Sequence, residues 1–95
     1  EDRGFDLLSR HPESGSVRFI EVKGRAGVGP VVLTPHEYKT AERLRADYWL
    51  YVVFDCATRP RLIPIQDPIR LGWEPIVRIE HYQLGAEAIQ KEAHS

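Results

Sequence analysis

At 95 residues the chain has the length of one small domain. Folding at that size buries roughly two thirds of the unfolded surface, enough for a single core without staples. Hydrophobic residues make up 42% and charged residues 28%, and the net charge of −1 excludes a strong overall basic field for drawing in polyanions, though not a local basic patch. The single cysteine, Cys56, excludes an internal disulfide, and no run approaches the ~20 apolar residues of a membrane span.

The first segment, residues 4–8, reads as a short strand carrying Asp6, and the SRHPESGS stretch after it has the composition of a turn. Residues 17–23 read as a second strand. Glu21 and Lys23 stand two apart there and so project to the same face. That face mixes Val17 and Phe19 with the two charges, which predicts a strand passing from core to site along its length. A glycine-rich loop from Gly24 to Pro30 follows, and residues 31–33 read as a β-branched third strand.

Thr34-Pro35-His36-Glu37 combines an N-cap threonine, a proline in the first helical position and a glutamate three residues after the cap. The predicted helix runs to about residue 46, with Tyr38, Ala41 and Leu44 as its inward stripe. The run YWLYVVF at 48–54 is apolar throughout, which predicts a strand covered on both faces and joined by a right-handed crossover, parallel to residues 31–33. Cys56, just beyond this run, reads as a buried small hydrophobe.

Residues 61–65 form a predicted antiparallel edge strand, consistent with Pro64. An irregular stretch follows over 66–74, then a further strand over 76–82 and a terminal helix over 85–93. Trp49, Trp73 and the tyrosines read as core more readily than as base-stacking platforms, Trp73 excepted because of its irregular surroundings. His11, His81 and His94 lack the spacing of zinc ligands, and His36 falls on the helix surface.

Asp6 on one strand and Glu21-Val22-Lys23 on the next bring two carboxylates and an ammonium to adjacent strands. That set suits metal-dependent phosphodiester cleavage. A plainer reading stays open beside it. Asp6 bonds a turn backbone, and Glu21 with Lys23 forms a surface ion pair worth under about 1 kcal/mol. Glu37 likewise has a structural explanation in the capping box. Arg25, Lys39, Arg43 and Arg45 are the candidate phosphate contacts, Lys39 and Arg43 sharing a helix face at a spacing of four.

The segments GFDLLS, RFIEVKG, VVLTPHEYKTA and DYWLYVVFDC, in this order, resemble the NO VEIN C-terminal-like domain family, within the PD-(D/E)XK nuclease-like superfamily. The resemblance implies an α/β, restriction-endonuclease-like mixed β-sheet (a βββαβ core) with a crossover helix and a C-terminal helix. It implies catalytic roles for Asp6, Glu21 and Lys23, with Mg²⁺ or Mn²⁺ held by the Asp6 and Glu21 carboxylates and the Val22 carbonyl. Lys23 would orient water, and Glu37 would be an auxiliary acid.

The resulting expectation is a single nuclease-like domain over 1–95, a module of a larger helicase or restriction-type protein, acting on DNA in the cytoplasm beside the rest of its polypeptide and away from membranes. The alternative is an inactive nucleic-acid-binding or structural docking module with the same fold.

Overall fold

A computed structural model describes residues 3–77 and 81–93. Its centre is a four-stranded mixed sheet built from β1 (Leu7–Arg10), β2 (Val17–Gly24), β3 (Tyr48–Phe54) and β4 (Arg61–Gln66), lying side by side in chain order. β1 and β2 form an antiparallel hairpin with Leu7 opposite Ile20, and β3 and β4 are antiparallel with Leu50 opposite Ile65. Between them β2 and β3 run parallel, Glu21 against Leu50 and Lys23 against Val52. Parallel neighbours need a crossover, and helix α1 (Pro35–Leu44) supplies it.

Helix α1 begins as its sequence dictates. The Thr34 hydroxyl accepts from the Glu37 backbone N–H, the Glu37 carboxylate accepts from the Thr34 N–H, and Pro35 opens the first turn. The helix closes at Arg45, whose φ of 48° stops propagation, and a 3-10 turn (Arg45–Asp47) leads into β3. Alternation then sets the core. Tyr48, Leu50 and Val52 of β3 are buried toward α1 and its Ala41, while Trp49, Tyr51 and Val53 on the other face are only half-buried.

Several sequence expectations change here. The first strand starts at Leu7 rather than Gly4, so Asp6 precedes it. Residues 31–33 form no strand, because both neighbours of β2 are already taken by β1 and β3. The parallel partner of β3 is therefore β2, and the order is ββαββ. The β3 strand is fully covered on one face, not two, since α1 is the only helix that packs on the sheet among the described residues. Cys56 is exposed at the turn after β3, its thiol directed to the Val53 carbonyl.

The antiparallel edge strand at 61–66 is as expected, with Pro64 on the outermost strand. After it, a 3-10 turn (Pro68–Arg70) leads to Trp73, whose indole N–H donates to the Pro68 carbonyl and whose ring meets Tyr38 edge-on at 6.4 Å. The expected strand over 76–82 falls partly outside the described residues, and Ile76, Val77, His81 and Tyr82 are not in a strand. His94 also lies outside them. Helix α2 (Ala86–Glu92) is present but buries no residue. Among the described residues no helix is long and apolar enough to cross a membrane.

Candidate functional site

The strand–crossover–strand unit brings the charged end of β2 beneath the first turn of α1. Lys23 is the centre of the cluster. Its ammonium lies 2.9 Å from Glu37 Oε1 and 3.4 Å from Glu21 Oε2. The same Glu37 oxygen accepts the Thr34 backbone N–H at 2.8 Å, so one carboxylate caps the helix and binds the lysine at once. Glu21 is 3% exposed, an unusual position for a carboxylate, and Glu37 is also buried.

Asp6 enters from the adjacent chain segment. It lies just before the Leu7–Ile20 pair, near enough to Glu21 for its charge to act there. Its backbone N–H donates to the Ile20 carbonyl at 2.8 Å, while its Oδ2 accepts the Val22 N–H at 2.9 Å. The side chain thus carries the hydrogen bonding of the hairpin beyond the last strand residue. This is backbone bonding of the kind a structural aspartate makes, yet it also holds the carboxylate against the Glu21–Val22 peptide.

The electrostatics follow from this crowding. Burial, then the hydrogen bond and charge of Glu37, then the charge of Asp6 push Glu21 up to about 7, against a weaker opposing pull from Lys23. Burial alone would raise Glu37 too, but the Thr34 N–H, Lys23 and Glu21 outweigh it and hold that carboxyl below the usual range. Burial likewise favours neutral Lys23, and it is overcome by the Glu37 hydrogen bond and the two carboxylate charges, which keep the lysine above its ordinary value. Lys23 is therefore a stable cation, suited to orienting a ligand and unsuited to taking up a proton near neutrality.

Glu37 is the residue that the capping box alone undersold. The signal was in the sequence, since positions 37, 41 and 44 are spaced i, i+4 and i+7 and lie on one helix stripe. Glu37 and Ala41 are both buried along it, whereas Tyr38 is only half-buried.

The candidate phosphate contacts do not join the cluster. Arg25 folds back into its own loop, donating to the Pro30 carbonyl at 2.8 Å, and its guanidinium lies so close over Gly29 that a Cβ there would sit 2.8 Å from Nε. The loop is further pinned to β3 by the Arg25 N–H to Val53 carbonyl bond. Lys39 and Arg43 are exposed on α1, and they lie about 200° and 240° around the helix from Glu37, at about 100° per residue.

The donor set of Asp6, Glu21 and Glu37 is of the hard oxygen type that Mg²⁺ or Mn²⁺ prefers. Among the described residues no three His, Cys, Asp or Glu side chains are arranged as a ready cage, and the Lys23 ammonium supplies the positive charge between Glu21 and Glu37.

The fold and cluster define a mixed α/β domain whose sheet, beside a crossover helix, carries a carboxylate–lysine site. The chain belongs to a named family, that of the C-terminal region of Protein NO VEIN, whose family model matches residues 1–65. The matched span holds the whole sheet but for Gln66, together with α1 and every residue of the cluster. No curated protein and no solved structure matches the chain.

Proposed function

We propose that the domain is a metal-dependent phosphodiester-cleaving module of restriction-endonuclease-like architecture, within the PD-(D/E)XK superfamily, acting on DNA as part of a larger protein. The observation that carries this reading is the convergence of Glu21, Lys23 and Glu37 beneath α1, with the Asp6 carboxylate bonded to the Val22 N–H from the neighbouring segment. The donors fit the ion in chemistry. Mg²⁺ is commonly bound by one or two carboxylates with waters completing its shell, and Asp6 with Glu21 meets that need beside the Val22 carbonyl. Such an ion supplies a more nucleophilic bound water and neutralises charge on phosphate oxygens.

The chain's own residues do the remainder. Lys23, held cationic, orients water and offsets charge on a phosphate oxygen. Glu37 fixes the Lys23 ammonium by a 2.9 Å bond while being itself fixed by the helix cap. Buried Glu21, raised to about 7 by its surroundings, is only partly ionised near neutrality, and a cation beside it would draw it toward the charged form.

The test is incubation of the full chain, alone and within its parent polypeptide, with single- and double-stranded DNA in Mg²⁺ or Mn²⁺. Cleavage lost in Glu21→Ala and in Lys23→Ala, with folding intact by circular dichroism, supports the reading. Intact DNA under all these conditions defeats it and leaves the second reading, a nuclease-like docking module without turnover. Two observations favour that alternative: Lys23 already has two carboxylate partners, and Arg25, Lys39 and Arg43 lie away from the cluster.

A further inference from the structure

Gly4 is buried and adopts a φ of 79°, a conformation natural to glycine and costly for other residues. The space its missing side chain leaves is filled by α1, because a Cβ built on Gly4 would overlap the Thr40 hydroxyl and lie 2.7 Å from the Thr40 Cβ. Thr40 has little freedom to move aside. It is 3% exposed, and its hydroxyl donates to the His36 carbonyl at 2.8 Å, locking the rotamer against the helix. From the other side the Gly4 carbonyl accepts a buried 2.7 Å hydrogen bond from the Tyr48 hydroxyl. Tyr48 is fully buried at the start of β3, 44 residues along the chain.

Gly4 is therefore gripped by helix and sheet together, two residues before Asp6. Asp6 itself precedes the regular β1 ladder and is tied to β2 by its N–H to the Ile20 carbonyl and by its carboxylate to the Val22 N–H. The placement of residues 4–5 therefore sets the angle at which it arrives. We infer that Thr40 and Tyr48 form a clamp on Gly4 that positions the Asp6 carboxylate against the Val22 N–H. Neither side chain touches the reacting groups in this scheme. Each acts through the backbone of residues 4–6, a positioning role. Its functional meaning rests on the proposed cation site, whereas its structural content does not.

A buried phenol is an economical anchor for such a turn. Its ring packs in the core and its hydroxyl donates there to the Gly4 carbonyl, so moving Gly4 would break a short buried hydrogen bond. The same reasoning explains a tyrosine at the head of an otherwise aliphatic buried face.

Tyr48→Phe removes the hydroxyl and keeps the ring. In the ¹⁵N-labelled full chain, amide exchange at Val22 in Tyr48→Phe should accelerate about tenfold more than at Val52, which reports the β3 ladder and global stability. Asp6→Ala, which deletes the acceptor, sets the full effect. Mn²⁺ titration of the same samples, read by paramagnetic broadening at residues 21–23, should show affinity weakened in both variants.

Equal acceleration at Val22 and Val52 would overturn the clamp, since Tyr48 would then contribute only to overall stability. Selective acceleration at Val22 without any Mn²⁺ binding by the unsubstituted chain supports the clamp while sinking the cation site, so the two failures are distinct. If Tyr48→Phe does not fold, Thr40→Ala tests the other jaw by opening space beside Gly4, with the same selective Val22 exchange expected and its absence counting against the proposal.

Discussion

Glu21 carries the sharpest residue-scale consequence, because its titration is moved by its surroundings. A glutamate raised from 4.5 to about 7 binds its proton more tightly in the folded state than in the unfolded one. Its contribution to stability is complete below pH 4.5 and disappears as pH rises through 7. Across that window the loss is at most about 3 kcal/mol, and the lowered Glu37 works the other way only on acidification below 4.5. Glu21→Gln keeps the shape and removes the titration. Urea unfolding at pH 5 and pH 8 should show the parent chain weaker at pH 8 and the variant nearly level. Glu37→Gln tests the neighbouring carboxylate. Glutamine can still accept the Thr34 N–H but offers Lys23 no charge, so a cost of about 1–2 kcal/mol is expected. Placing the same change in a Lys23→Met background should abolish most of that cost, and an undiminished cost there would reduce Glu37 to a helix cap.

At the scale of elements, helix α1 shows what local chemistry can announce. Its cap, its proline and its glutamate fall within four consecutive residues, and all three take the positions their chemistry favours. Thr34→Ala should lower stability by about 1 kcal/mol in chemical denaturation while leaving the Lys23–Glu37 contact in place. The strands were legible for the same reason, as runs of alternating or continuous apolar residues. Pairing was not. Residues 31–33 have the composition of a strand, but composition does not reveal that β1 and β3 already flank β2. The apolar run of β3 suggested cover on both faces, yet Trp49 and Tyr51 cover part of theirs by meeting each other edge-on at 6.3 Å, with the Arg18 guanidinium 3.7 Å over the Trp49 ring. Of the site, Glu21 and Lys23 were readable because a strand fixes their shared face. The grip of Thr40 and Tyr48 on Gly4 joins three distant elements and has no local signature.

For the molecule as a whole, the division of labour falls between the sheet with α1 and the segment that follows β4. The radius of gyration is 20.8 Å, where a compact chain of this length has about 12 Å, so the excess must come from a part that does not pack on the sheet. Helix α2 is that part. Its seven residues bury nothing, and Tyr82, Leu84 and Ile89 around it are exposed. Isolated helices shorter than about 12 residues are marginal in water, so α2 contributes little to holding the fold. A chain ending at Val77 retains Trp73 and its bond to Pro68. It should therefore unfold at the same urea midpoint as the full chain, with an unchanged denaturant slope, because residues 81–93 are exposed throughout. A fall in both midpoint and slope would mean that α2 covers apolar surface in solution. The uncovered sheet face bearing Leu7, Val22 and Leu62 is where that surface would have to lie, and protection of the Trp49 fluorescence from quenchers in the full chain alone would locate it there.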